Sequence, residues 1–398
     1  MKRYLDDQIT SDLQRKLVFV TGPRQVGKTT LSQQLQAFIT PSQYLNFDVP
    51  KDRSIIHRQS WIPDTQLLVL DELHKMDGWK PWLKGVIDGK LNGQQQLVTG
   101  SARMDTFAQS GESLAGRFLS WRLHPISVKE WCAFGPAQTS GNAQTPETAL
   151  AHLINRGGFP EPCLMPITEQ GDIDALRWRD QYANGLVRED ILEFSRIHEV
   201  GSMRVLLELL RERVGSPLSY ASIGRDLGLS QPTVKRFIDI LQALYIVFTV
   251  QPWHHNIARS LLQAPKIYFY DTGMVTDSEV KNRDGIDVQG LRFENAVAAM
   301  LLKHVHYLQD ALAAPVQLHY LRNKEGAEID FALSNGKALT HLIECKWSDS
   351  TPSKAFNKFR PYWPQAKAIQ LLRHIRSPEL REGVEITNAA SWLNDLAA

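Results

Sequence analysis

Gly22-Pro23-Arg24-Gln25-Val26-Gly27-Lys28-Thr29 decides how the N-terminal part of the chain folds. It follows the apolar run Leu17-Val18-Phe19-Val20 and precedes the helix-like run Thr30-Leu31-Ser32-Gln33-Gln34-Leu35. A strand, a glycine-bearing loop ending in Lys-Thr and a helix together predict a phosphate-binding loop. Gly22 and Gly27 allow backbone angles that turn N–H groups onto phosphates. The helix that follows presents its positive end to an anion. Lys28 is expected to reach the β- and γ-phosphates, and Thr29 to offer a hydroxyl to Mg²⁺. Pro23, Arg24, Gln25, Val26 and Thr30 complete the expected ATP cradle.

Outward from the loop, strand-like and helix-like stretches alternate, which predicts a parallel sheet with flanking helices and an α/β class. Gln66-Leu67-Leu68-Val69-Leu70 runs into Asp71-Glu72. Asp71 is expected to hold Mg²⁺ through water, and Glu72 to polarise the attacking water. Gln96-Leu97-Val98-Thr99-Gly100-Ser101 reads as a strand with small polar residues at its end. Ser101 is the first candidate for sensing the γ-phosphate and Thr99 the second. Gly116-Arg117 lies beyond that strand, where an arginine can meet phosphate charge on its own chain or a neighbouring subunit. Arg103 competes for the role, and a structural ion pair at Arg117 is the plain alternative.

Gly22–Thr29, Val69–Glu72, Thr99–Ala102 and Ser113–Arg117, followed by His124-Pro125-Ile126-Ser127, resemble the AAA-superfamily ATPase module. They are similar in particular to a large, mostly uncharacterised prokaryotic family that joins this module to a C-terminal domain of unknown function. The resemblance implies ATP binding, ATP hydrolysis and assembly into homo-oligomers.

At 398 residues the chain exceeds one core, so several domains are expected. Hydrophobic residues make up 43% and charged residues 22%, an ordinary globular composition. A net charge of +2 is too small to argue for nucleic acid by itself, so any basic surface must be local. Three scattered cysteines fit neither a disulfide framework nor a metal spacing. No apolar run approaches membrane length, and the N-terminus lacks the apolar core of a signal peptide. A cytoplasmic protein with no membrane partner is expected. The expected divisions are an ATPase domain over 1–134, a linker and helical lid over 135–200, a winged-helix-like module over 201–256, and a last domain over 257–398.

In the third segment, Leu218–Leu229 and Ser230–Leu241 form a helix-turn-helix pattern, with Gly228 at the turn and Ser230 as a cap. Leu244–Phe248 is expected to supply a wing strand. Gln231, Thr233, Lys235 and Arg236 would face a DNA groove, although the same fold also serves as a protein-contact module.

In the last segment, Ala327–Leu333 and Leu342–Trp347 read as strands of a hairpin turned at Ser334–Lys337. Alternate residues share a face, so Glu328 and Asp330 point together, as do Glu344 and Lys346. Asp330, Glu344 and Lys346 then converge, with Glu294 contributed by a preceding helix. Carboxylates of this kind take Mg²⁺, and a lysine can orient water or stabilise a phosphate. Asp330, Glu344-Cys345-Lys346 and the helix bearing Glu294 resemble the PD-(D/E)xK nuclease superfamily, although no Pro precedes Asp330. The resemblance implies a restriction-endonuclease-like α/β domain acting on DNA or another nucleic acid. A relic of that fold that contacts a partner without cutting is the alternative.

Overall fold

The computed structural model describes residues 1–89, 93–100, 114, 116–134, 144–194, 200–254, 264–275 and 288–398. They fall into two compact units, Met1–His124 with Ala243–Tyr245, and Pro125–Gln242 with Ile246–Ala398. Ser101, Arg103 and most of the expected linker (135–143) lie outside the described residues.

The first unit runs α1 (Asp6–Leu13), β1 (Leu17–Thr21), α2 (Lys28–Phe38), β2 (Ser42–Asn46), α3 (Pro50–Arg58), β3 (Leu67–Asp71), α4 (Trp79–Asp88), β4 (Gln95–Thr99) and β5 (Phe118–Arg122). The strands form one parallel sheet in the order β2-β3-β4-β1-β5. β1 and β3 are buried along their whole length. That explains their unbroken apolar sequences, since a parallel sheet covered on both faces leaves no strand face to water. Leu68, Leu70, Phe19 and Val98 pack with Trp79, Leu83 and Val86 of α4 into one core. Because β4 lies between β1 and β3, the ends of all three meet at one edge of the sheet.

The second unit opens with helices: α5 (Val128–Phe134), α6 (Pro146–Arg156), α7 (Pro160–Leu164), α8 (Glu169–Phe194) and α9 (Val200–Arg211). Thr145 caps α6 with a reciprocal Thr148 bond, and Pro146 sits in the first turn, where it is tolerated. The helix stops at Gly157 (φ 76°), where a Cβ would lie 1.8 Å from the Asp271 carboxylate. Asp271 instead accepts hydrogen bonds from the Gly158, Phe159 and Gly273 amides, at 3.0, 2.7 and 2.6 Å. This carboxylate ties the Gly157-Gly158-Phe159-Pro160 break to Asp271-Thr272-Gly273.

The helix pair expected in the middle forms as α10 (Tyr220–Leu227) and α11 (Gln231–Ala243), with Ser219 and Ser230 accepting from the amides three residues on. Of the segment expected as a wing strand, Val247 and Phe248 are in a strand. They enter β6 (Val247–Pro252), which pairs antiparallel with β7 (Lys266–Phe269) and parallel with β8 (Val316–Arg322). Val247, Phe248 and Val250 are buried, and a strand so apolar needs neighbours on its faces and edges. Hydrogen bonding therefore runs across the boundary expected at 256.

β6 to β8 continue an eight-stranded mixed sheet, with α12 (Val288–Leu312), β9 (Glu328–Asn335), β10 (Ala338–Lys346), α13 (Lys354–Phe359), β11 (Lys367–Leu372), β12 (Glu379–Arg381), β13 (Val384–Asn388) and α14 (Ala389–Asn394). The strand order is β12-β13-β11-β10-β9-β8-β6-β7. The predicted hairpin is β9–β10, with Phe331 opposite Ile343, and this register sets Asp330 across from Glu344.

Candidate functional site

In the first unit the loop after β1 is held open by specific anchors. Gly22 has φ 146°, and a Cβ there would lie 2.3 Å from the Leu123 carbonyl oxygen, so only glycine fits. Gln25 (φ 59°) and Gly27 (φ 104°) complete the turn into α2. Val26 is fully buried, and its carbonyl accepts from Arg3 Nη1 at 2.9 Å. Lys28 donates to the Gly22 and Pro23 carbonyls at 3.0 and 2.7 Å. The ammonium thus sits under its own loop, and its charge also acts on Glu72. Thr29 and Thr30 are exposed at the start of the helix.

Asp71 lies where β3 ends. Its Oδ2 accepts from Thr29 Oγ1 at 3.2 Å and from the Tyr44 hydroxyl, and its Oδ1 accepts from Thr99 Oγ1. Thr99 therefore orients Asp71. Tyr44, on β2, has no counterpart in the sequence reading. Burial and the Asp71 charge push its phenol pKa up, which keeps it a donor. Neighbouring hard oxygens on Thr29 and Asp71 fit a Mg²⁺ ion that takes its other ligands from water and phosphate. Glu72 adopts φ 56°, uncommon for a non-glycine residue. Burial, then Asp71, raises its carboxyl pKa, while Lys75 and Lys28 oppose the shift. A carboxylate whose proton affinity is raised suits proton transfer from water. Arg117 pairs with Asp88 at 3.2 Å and stays part exposed.

In the second unit the structure brings Glu294, Asp330, Glu344 and Lys346 together, and adds Lys266. This lysine is 1% exposed. Its Nζ lies 2.7 Å from Glu328, 3.5 Å from Glu294 and 3.6 Å from Asp330, and 5.5 Å from the Tyr320 ring centre. Burial alone would lower its pKa, but Glu294, Asp330 and Glu328 together raise it. Tyr268 donates to Glu294 at 2.7 Å, and the Cys345 amide to Asp330 at 2.9 Å. Lys346 pairs with Glu344 at 3.0 Å. Burial, then the Asp330 charge, raises the carboxyl pKa of Glu344 and of Glu294 to about 7.

The metal set expected from Glu294, Asp330 and Glu344 differs from this arrangement. Among the described residues no group of three or more His, Cys, Asp or Glu side chains is placed to hold a metal ion. The physical reason is Lys266, whose ammonium sits among the carboxylates that would otherwise face a cation. The sequence offered one hint, a lysine opening the apolar strand Lys266-Ile267-Tyr268-Phe269.

Comparison with known proteins accords with the first site. Residues 14–132 match the family model described as an AAA domain. Residues 147–283 match a domain of unknown function (DUF8612), and residues 289–392 match another (DUF4143). Uncharacterised proteins of Mycobacterium tuberculosis and Mycobacterium bovis are each 28% identical over 322 residues, covering 79% of this chain and 66% of theirs. The match thus spans just under two thirds of those relatives. Among solved structures, the Holliday junction branch migration motor RuvB of Thermotoga maritima is 15% identical with a TM-score of 0.33, covering 61% of this chain and 88% of RuvB. A signal transduction ATPase with numerous domains from Pyrococcus horikoshii is 12% identical with a TM-score of 0.28, covering 79% of this chain and 48% of that one. Among the described residues no helix is long and apolar enough to cross a membrane. The AAA match contains the whole Gly22–Thr29 loop with Asp71, Glu72 and Thr99, so the N-terminal region is similar to an AAA domain, carried on a chain whose other two matched regions correspond to domains of unknown function.

Proposed function

We propose that this chain hydrolyses ATP at Gly22–Thr29 and uses the nucleotide state to control a nuclease-like C-terminal region that acts on nucleic acid. The observation that carries the ATPase reading is the junction of Thr29, Asp71 and Thr99 beside the Lys28 loop. Loop amides and the α2 N-terminus bind phosphate oxygens, and Lys28 adds a positive charge. Glu72 accepts a proton from the attacking water. Thr29 and Asp71 would hold Mg²⁺, which when bound supplies charge neutralisation at the phosphates. Arg117 is proposed to reach phosphate after leaving Asp88, on its own chain or across a homo-oligomer. Lys28→Ala should lower ATP turnover about 100- to 1,000-fold with unchanged circular dichroism. Normal turnover in that variant would remove the loop from the reaction.

For the C-terminal region, the reading rests on Asp330 and Glu344 opposed across the β9–β10 hairpin with Lys346 beside them. Exposed Gln231, Lys235 and Arg236 on α11 are proposed as a nucleic-acid contact. A second reading, an ATP-switched interaction protein that does not cut, is favoured by one observation: the Lys266 ammonium among Glu294, Glu328 and Asp330. Incubation with DNA and RNA forms, with Mg²⁺ or Mn²⁺, with and without ATP, separates the two. Cleavage that disappears in Asp330→Ala and in Lys346→Ala supports the nuclease. ATP-sensitive binding without any cleavage supports the second reading.

A further inference from the structure

We propose that a pocket at Arg373 binds a phosphate group of a nucleic-acid strand, an inference that rests on the nucleic-acid reading above. The cavity, about 570 Å³, is lined by Arg373 and Arg376, by Glu147, Thr148 and Ala151 at the start of α6, and by Asn388. Arg373 is only 8% exposed. Among the described residues its guanidinium has no hydrogen bond or ion pair, although five N–H donors are available. Burial lowers its pKa and the Glu147 charge opposes that shift, so an anion within hydrogen-bonding reach would satisfy donors that Glu147 does not. The planar fork suits a phosphate bidentately.

The pocket's position follows from the backbone. Just past β11, the Arg373 amide donates to the Lys346 carbonyl at 3.1 Å, and the His374 amide to the Trp347 carbonyl at 3.2 Å. The His374 and Trp347 rings meet edge to face at 5.5 Å. Arg373 is thereby pinned beside the end of the strand that carries Glu344 and Lys346. Arg376 stands exposed beside it as a second cation. Opposite lies the first turn of α6, whose positive end favours an anion. Glu147 is the acidic side chain in the lining; it accepts from Ser391 Oγ at 3.4 Å, and its charge acts on Arg373. It opposes an incoming phosphate, which gives the pocket a sign-reversed control.

The test uses the full chain in a Lys28→Ala background, so that the ATP loop does not bind the probes. A fluorescein-labelled single-stranded oligonucleotide is titrated without divalent metal at several salt concentrations, and thermal stabilisation by sodium pyrophosphate is read in parallel. Arg373→Gln should weaken strand binding about tenfold and reduce the salt slope by about one. Arg376→Gln should weaken it about two- to threefold, and Glu147→Gln should tighten it by a similar factor. Equal affinity and salt slope with and without Arg373→Gln would overturn the proposal. Loss of pyrophosphate stabilisation with unchanged strand binding would assign the pocket to a free phosphate and overturn the strand placement. If Arg373→Gln does not fold, Glu147→Gln decides, and unchanged affinity there counts against the proposal. The nuclease reading fails independently, by absence of Asp330-dependent cleavage, and leaves the binding result standing.

Discussion

The two candidate sites use the same residue types and compensate them differently. In the N-terminal unit, Lys28 is held by carbonyl oxygens and Asp71 by three hydroxyls. In the C-terminal unit, Glu294, Glu328 and Asp330 surround Lys266, and Glu344 pairs with Lys346. Neutral dipoles fix a charge without cancelling it, so its field remains for an incoming phosphate or metal. An ion pair cancels most of that field within a few ångströms. The first site thus holds Lys28 and Asp71 largely by neutral dipoles, with the Lys28 charge also acting on Glu72, whereas the second holds Lys266 and Lys346 by carboxylates. Breaking the charges one at a time sharpens the contrast.

The largest effect is expected at Glu72. Glu72→Gln keeps the shape and removes the base, so ATP turnover should fall about 100- to 10,000-fold while nucleotide binding persists. Single-turnover hydrolysis beside a fluorescent-nucleotide titration reads both. Unchanged hydrolysis would take Glu72 out of the reaction. Next comes Lys266→Met, which leaves Glu294, Glu328 and Asp330 without their buried counter-charge. Losing one partner of a buried pair costs about 3–5 kcal/mol. Lys28→Met should cost less in denaturant, because its acceptors at Gly22 and Pro23 are neutral carbonyls. Equal destabilisation by the two methionine variants would break the comparison. Gly22→Ala ranks third, at about 1–3 kcal/mol for forcing a side chain into such a backbone. Its readout is the unfolding midpoint of the N-terminal unit.

This contrast also explains what could be read from sequence. The loop, Asp71-Glu72 and the β9–β10 hairpin were legible because each is local: an apolar run sets the strand, and alternation sets the face. Asp330, Glu344 and Lys346 were placed together on that basis, and the register supports it. Tyr44 and Lys266 were not legible. Tyr44 reaches Asp71 on the neighbouring strand and Lys266 reaches carboxylates on α12 and β9, contacts that exist only after folding, and neither residue stands in a motif. Lys266 looks like a solvent-facing strand end until three carboxylates from α12 and β9 enclose it. The partners of the expected wing strand were not legible for a related reason. Val247, Phe248 and Val250 show an apolar strand, but not that its partners are β7 and β8.

The smallest expected effect concerns a neutral group in the charged unit. His304, on α12, is held neutral: burial first, then His341 and Lys129, lower its pKa to about 4. Its Nδ1 accepts from the Ala397 amide at 3.1 Å, which requires the unprotonated nitrogen. Unfolded, the imidazole titrates near 6.5. Between pH 6.5 and about 4 the unfolded chain therefore binds a proton that the folded chain refuses. Linkage then makes His304's share of stability fully present above pH 6.5 and progressively lost as pH falls toward 4. His304→Asn keeps an acceptor for Ala397 and does not titrate. Denaturant midpoints of wild type and variant at four pH values from 4.5 to 7.5 isolate this share, because other titrating groups cancel in the difference. The wild type should lose ground to the variant steadily as pH drops below 6.5. A difference that stays constant with pH would mean that His304 titrates in the fold as it does in the unfolded chain, and that its burial does not keep it neutral.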